Sequence, residues 1–132
     1  AAITDWTAYG LPGGLLKGAC CISGLYELEP LYKSYQQPVL QLDPESVETL
    51  SPQRRIPAGL PPTLCAVGGD EPEEFLDQQA DFLAACRERS LPVAEVPVPG
   101  RHHFSAVDAM AEPDHQLHRA LRRLVLEAAL PG

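Results

Sequence analysis

Three short segments of the sequence are mostly apolar and are bounded by glycine, proline or serine: residues 18–23, 63–69 and 93–98. This pattern is typical of strands that are covered on both faces, as in a parallel sheet. Pro97 removes a backbone donor from the third segment, which is tolerated mainly at the border of a sheet. We therefore predict a parallel sheet with segment 93–98 at its edge.

Helical periodicity follows these segments. Residues 73–89 place apolar side chains three to four positions apart, with acids at the start and arginines at the end. Residues 114–129 form a second stripe, which Asp114 is placed to cap. Residues 1–9 have the pattern of a helix that ends before Gly10. The alternation of strand and helix predicts the α/β class, a three-layer parallel sheet with flanking helices.

Segment 24–62 is the least regular part of the chain. We expect a helix over about residues 30–40 and a short one near 45–50, separated and followed by prolines. Long excursions between strands of a compact domain commonly form lids or pocket walls. Segment 24–62 is therefore predicted to be a cap-like excursion.

The 132 residues have the size of one ordinary domain, yet three strands make a thin parallel sheet. The simplest interpretation is that residues 1–132 are the C-terminal portion of a single larger domain. In that case the strand at 18–23 pairs with the rest of its own domain or with another chain. A homo-oligomer is compatible with the sequence.

Charge and composition exclude several classes of function. Acidic residues outnumber basic ones by 18 to 10, for a formal net charge of −8, which disfavours nucleic acid and anionic membranes as partners. No apolar run approaches the roughly 18 residues of a membrane span. The four cysteines lie in apolar patterns, so we predict free thiols and a cytoplasmic location. No metal-binding spacing is present, and no metal or other cofactor is expected.

Two residues with catalytic potential follow consecutive predicted strands. Asp70 follows segment 63–69, and His103 follows segment 93–98 after a short turn. Sites of open α/β sheets lie at the carboxyl ends of the strands, so we expect the Asp70 carboxylate to contact the His103 imidazole. The alternatives stay open: Asp70 as a helix N-cap, and His103 as a loop residue bonded to backbone.

His103 is preferred over His102 because Phe104 and Val107 behind it begin an apolar helical turn. A nucleophile is missing, since the motif Gly-x-Ser-x-Gly occurs nowhere in the chain. The 132 residues alone are therefore expected to be inactive.

Three ordered motifs resemble the kynurenine formamidase (arylformamidase) and esterase-like branch of the α/β-hydrolase superfamily. They are ISGLYELEPL at 22–31, VGGDE at 67–71 with Phe75 and Gln79 after it, and PGRHHFS at 99–105. His102 stands where that branch usually has asparagine. The resemblance covers essentially the whole chain and lacks the family's nucleophile elbow, which would lie upstream of the helix represented by residues 1–9.

The resemblance implies serine-dependent hydrolysis of small carboxylic esters or aryl formamides by the intact protein. Asp70 would be the orienting acid and His103 the general base, with the serine outside these residues. Leu25, Tyr26 and Leu28 follow the first strand and are candidates for the substrate pocket. Ordinary packing of a strand-exit loop explains these three residues equally well.

Two other classes compete with the hydrolase interpretation. A hydrolase-derived interaction or assembly module without catalysis would use an exposed strand edge to pair with another chain. A phosphate-binding doubly wound domain is disfavoured, because Gly68-Gly69-Asp70 lacks the required glycine pattern. A Gly-x-Ser-x-Gly elbow encoded upstream would favour the enzyme over the assembly module.

Overall fold

The computed structural model describes residues 1–129, which are built around a parallel three-stranded sheet in the order β1-β2-β3. Strand β1 is Ala19–Ile22, β2 is Thr63–Ala66 and β3 is Val93–Glu95. A further parallel bridge joins Gly68 to Val98, so the second and third chain segments stay together beyond the regular strands. The predicted parallel sheet is confirmed, with β3 at one border.

Residues 1–129 contain five α-helices, and the two long ones pack on the sheet. Their bounds are α1 Glu29–Tyr32, α2 Gln37–Leu40, α3 Pro44–Leu50, α4 Glu73–Glu88 and α5 Gln116–Ala129. Short 3₁₀ helices span Trp6–Tyr9, Pro52–Arg55 and Val107–Met110. None of the helices within residues 1–129 is long and apolar enough to cross a membrane.

Two hydrophobic cores lie on opposite faces of the sheet. Cys65 of β2 belongs to the core that contains Phe82 and Leu83 of α4, whereas its neighbour Ala66 belongs to the core that contains Leu117 of α5. Successive side chains of a strand point to opposite faces, so one strand supplies both cores. This arrangement confirms the three layers.

The helix expected over residues 30–40 is instead two single turns, α1 and α2. The Ser34 hydroxyl donates to the carbonyl of Leu31 at 2.8 Å and accepts from the N–H of Gln36 at 3.1 Å, so it replaces helical backbone bonds between them. Pro38 lies in the first turn of α2, where no N–H is needed.

The two chain ends also differ in detail from the expectation. Residues 1–9 contain only the 3₁₀ turn Trp6–Tyr9, which ends at Gly10 with φ of 73°. Helix α5 begins at Gln116, and a ring nitrogen of His115, rather than Asp114, accepts the N–H of Leu117 at 3.0 Å.

Segment 24–62 is tied to the rest of the fold by α4. The Oε1 atom of Gln78 accepts the N–H groups of Tyr26 at 2.7 Å and Glu27 at 3.0 Å. Ile56 and Leu60 from the same segment are buried in the α4 core. The excursion is thus held against α4 and the core on the α4 side of the sheet.

All four cysteines are free thiols, as predicted. Cys65 and Cys86 are buried, whereas Cys20 and Cys21 are half-buried in β1.

Candidate active site

Three chain segments meet at the carboxyl edge of the sheet. Ser23 follows β1, Glu71 lies on the loop after β2, and His103 lies on the loop after β3. Because the strands are parallel and adjacent, their ends reach the same edge. The edge is therefore where side chains from distant parts of the sequence can contact one another.

The carboxylate of Glu71 is the centre of this cluster, and its side chain is fully buried. Its Oε1 atom accepts the N–H of Gly68 at 2.7 Å and the hydroxyl of Ser23 at 2.5 Å. Its Oε2 atom lies 2.8 Å from Nδ1 of His103. Burial acts to raise the pKa of Glu71, but the hydrogen bonds from Ser23, Gly68 and His103 outweigh it and lower that pKa below its usual value.

The imidazole of His103 is held by this carboxylate and by two aromatic rings. The Phe75 ring lies 4.8 Å from it between centroids, and Phe104 meets it edge-on at 5.3 Å. The side chain is 42% exposed, and Nε2 has no hydrogen-bond partner among residues 1–129. An imidazole fixed through Nδ1 and open at Nε2 can take a proton from a nucleophile.

The acid that contacts His103 is Glu71 and not Asp70, which corrects the pairing expected from the sequence. The N–H of Glu71 donates to the carbonyl of Gly68 at 3.1 Å, which forms a turn. This turn brings the Glu71 carboxylate within hydrogen-bond distance of the Gly68 N–H. Asp70 is exposed, and its N–H donates to the carbonyl of Arg101 at 3.0 Å. Asp70 is not an N-cap either, since α4 begins after Pro72 without a side-chain cap.

Gly68 allows the loops after β2 and β3 to touch. A Cβ atom at this position would lie 2.2 Å from the carbonyl oxygen of Arg101, which is far inside contact distance. The guanidinium of Arg101 bonds Glu112 at 2.6 Å, which anchors the histidine loop to the chain before α5. The pairing of Glu71 with His103 therefore depends on a close backbone approach.

A cavity of about 320 Å³ lies beside this cluster. Leu25 lines it from the loop after β1, and Phe75, which contacts His103, lines it from α4. The other lining residues are Pro30, Leu31, Ser34, Tyr35, Gln36, Glu74 and Gln78. The cavity is thus walled by the start of segment 24–62 and the first turns of α4.

Of the three predicted pocket residues, only Leu25 lines this cavity. Tyr26 is 3% exposed and stacks on Phe82, with ring centroids 4.1 Å apart, so it belongs to the core beneath. Leu28 is half-buried and its N–H donates to the Ser51 hydroxyl at 3.0 Å. Tyr26 also lines a separate cavity of about 200 Å³ together with Leu25, Leu60 and Phe82, whereas Leu28 lines neither cavity.

Sequence reasoning missed Ser23, Glu71 and Gly68 as parts of the site. All three lie inside the motifs that carried the family resemblance, at residues 22–31 and 67–71. Their position at or just beyond the ends of the predicted strand segments 18–23 and 63–69 was a usable signal. Among residues 1–129, the structure brings together no three acidic, histidine or cysteine side chains that could hold a metal ion.

Known proteins resemble this chain in sequence and in fold. No protein-family model matches the chain. It is 26% identical over 127 residues to a kynurenine formamidase of Danio rerio, covering 92% of this chain and 43% of that protein. A kynurenine formamidase of Salmo salar is 27% identical over 128 residues, with the same coverage of 92% and 43%. The chain spans less than half the length of these curated relatives.

Solved structures share the fold at lower sequence identity. An acetyl ester-xyloside bifunctional hydrolase from Caldicellulosiruptor lactoaceticus superposes with a TM-score of 0.67 at 15% identity, covering 88% of this chain and 44% of that one. A thermophilic esterase from Thermogutta terrifontis gives 0.57 at 18% identity, covering 88% and 45%. The chain therefore has part of the α/β-hydrolase fold, and its resemblance to the kynurenine formamidase-like branch of that superfamily is confirmed.

Proposed function

We propose that the intact protein is a serine-dependent hydrolase of small carboxylic esters or aryl formamides, with His103 as general base and Glu71 as the orienting acid. One observation carries the proposal: Oε2 of the buried Glu71 lies 2.8 Å from Nδ1 of His103 at the carboxyl edge of the sheet. The similarity to formamidases supports the choice of substrate class.

In this mechanism His103 Nε2 removes the proton of a serine hydroxyl supplied by a segment outside the 132 residues. The serine oxygen then attacks the substrate carbonyl carbon and forms an acyl-enzyme, while Nε2 returns the proton to the leaving group. Water, deprotonated by the same nitrogen, releases the acid. The Glu71 carboxylate stabilises the imidazolium in both steps, and its lowered pKa keeps it ionised at neutral pH.

This assignment predicts where the nucleophile is found. A fluorophosphonate probe should label one serine of the intact protein, outside residues 1–132, and block hydrolysis of short p-nitrophenyl esters. The isolated 132 residues should show no turnover above a His103→Ala control, because Glu71 and His103 have nothing to activate. Labelling of a serine within the chain, or turnover by the fragment, would contradict the mechanism.

The 320 Å³ cavity beside Phe75 is the proposed substrate pocket, and segment 24–62 its cap. Its apolar lining by Leu25, Leu31 and Phe75 suits an aromatic ring or a short acyl chain. Phe75 lines the cavity and its ring lies 4.8 Å from the His103 ring between centroids, which supports a substrate pocket on this side of the imidazole.

Narrowing the pocket should change substrate preference. We expect Leu25→Trp to raise KM for a naphthyl ester by about tenfold while leaving hydrolysis of a small acetate ester within about threefold, since lost apolar contact is worth about 1–3 kcal/mol. Leu40→Trp is the matched control, because Leu40 is exposed on α2 and outside the cavity. Equal effects of both variants on both esters would exclude this cavity as the pocket.

One observation favours a second candidate, the non-catalytic assembly module. Strand β1 is hydrogen-bonded to β2 only, and within residues 1–129 its other edge has no strand partner. In the proposed hydrolase this edge of β1 pairs with the rest of its own domain, whereas in an assembly module it would pair with a separate chain. If instead the intact protein binds no fluorophosphonate and turns over no ester, pairing with a separate chain becomes the better explanation.

A further inference from the structure

We propose that Ser23 is a positioning residue of the active site, holding the Glu71 carboxylate so that its Oε2 atom stays on His103. This inference rests on the proposed function and assigns a role to a residue outside the acid–base pair. Ser23 directly follows β1, so its hydroxyl connects the end of the first strand to the loops after the second and third strands.

The backbone of Ser23 is held in an unusual conformation. Its φ is 52°, in the left-handed region that non-glycine residues rarely adopt. Its N–H donates to the carbonyl of Ala66 at 2.8 Å, which continues the β1–β2 pairing by one residue. The conformation accompanies a hydroxyl that reaches the Glu71 Oε1 atom at 2.5 Å, and strained backbone of this kind is concentrated at functional sites.

The two carboxylate oxygens of Glu71 have different hydrogen-bond partners. Oε1 has two donors, the Ser23 hydroxyl and the Gly68 N–H, whereas Oε2 faces His103. Two donors on one oxygen fix the plane of the carboxylate, which otherwise rotates easily about its last torsion. Removing the Ser23 hydroxyl leaves Oε1 with the Gly68 N–H alone, and both the orientation and the ionised form of Glu71 lose support.

Other charged groups near Glu71 are engaged elsewhere or exposed. His103 is the titratable group that contacts it, from the loop after β3. On that loop the Arg101 guanidinium bonds Glu112, and on α4 the Glu74 carboxylate bonds Gln78 at 2.8 Å. Asp70 is exposed. A change in the titration of Glu71 on removing the hydroxyl is therefore attributable to Ser23.

The test compares two serines with nearly equal φ angles. Ser90 has φ of 55° but lies after α4, outside the site. Ser23→Gly and Ser90→Gly are made in the intact protein, since glycine removes the hydroxyl and tolerates positive φ. The carboxyl carbon of Glu71 is titrated by ¹³C NMR, and kcat and KM are measured on a p-nitrophenyl ester.

We expect Ser23→Gly to raise the pKa of Glu71 and to lower kcat about tenfold with KM within about twofold, the scale of one hydrogen bond to a charged group. Ser90→Gly should change neither quantity. An unchanged Glu71 titration in Ser23→Gly, or an equal change in Ser90→Gly, overturns the proposal.

A second pair of variants separates positioning from stability. Ser23→Ala and Ser90→Ala both place alanine at positive φ and should both lose thermal stability, Ser23→Ala by more because it also loses the hydrogen bond to the buried carboxylate, but only Ser23→Ala should raise the pKa of Glu71. An unchanged Glu71 titration in Ser23→Ala also overturns the proposal. The NMR measurement needs no turnover, so a shift of Glu71 in a protein without hydrolase activity would support the Ser23 contact and reject the proposed function.

Discussion

Replacing Glu71 by glutamine in the intact protein is expected to lower kcat by about 10⁴-fold, as loss of the orienting carboxylate does in a Ser-His-Asp triad. Glutamine has the same shape but no charge, so it cannot stabilise the imidazolium, and its amide NH₂ can hold His103 in the wrong tautomer. Asp70→Asn should leave kcat within about twofold, because Asp70 is exposed and its contact with the histidine loop is through backbone.

The comparison of Glu71→Gln with Asp70→Asn is well controlled, since the two substitutions are adjacent, nearly isosteric and of the same charge change. Circular dichroism and thermal unfolding would show whether either variant is misfolded. His103→Ala combined with Glu71→Gln should be little worse than His103→Ala alone, because the pair acts as a unit. A large loss in Asp70→Asn with a small one in Glu71→Gln would restore the pairing expected from the sequence.

The sheet was predictable because its signal is local. Apolar segments bounded by turn residues mark strands, and α4 and the long α5 follow the three-to-four spacing of their apolar residues. The strand predicted over 63–69 is shorter, Thr63–Ala66: beyond it a single bridge joins Gly68 to Val98 with Gly68 close to the Arg101 carbonyl, and the chain then turns. A close backbone contact with a residue on the next loop does not change the pattern of hydrophobic positions, so that pattern cannot predict it.

The contact of His103 with a carboxylate at the carboxyl ends of the strands was predictable, but the identity of that carboxylate was not. Asp70 and Glu71 are adjacent carboxylates after the same strand, so neither residue type nor position identifies the one that contacts His103. What distinguishes them is the turn that returns Glu71 over the Gly68 N–H and the hydroxyl that Ser23 supplies from another strand. Tyr26 illustrates the same limit, since its partners Phe82 and Gln78 come from α4.

Gly68→Ala is expected to damage both the stability and the activity of the intact protein. The added Cβ atom would lie 2.2 Å from the carbonyl oxygen of Arg101 and 3.1 Å from Glu71 Oε1. The Arg101 carbonyl belongs to the backbone, so the histidine loop must move, and overpacking of this kind costs about 1–3 kcal/mol of the free energy of unfolding. Because a shift of about 1 Å at a catalytic group costs about 100-fold, kcat should fall by at least that factor.

Gly59→Ala is the matched control for this substitution, since no atom lies within 4 Å of a Cβ atom at Gly59. It should leave the free energy of unfolding, measured in urea, and kcat nearly unchanged. The two effects of Gly68→Ala have different origins, so the variant should stay impaired in kcat at temperatures where it is fully folded. A folded Gly68→Ala protein with normal kcat would mean that the approach of the β2 and β3 loops does not set the distance between Glu71 and His103.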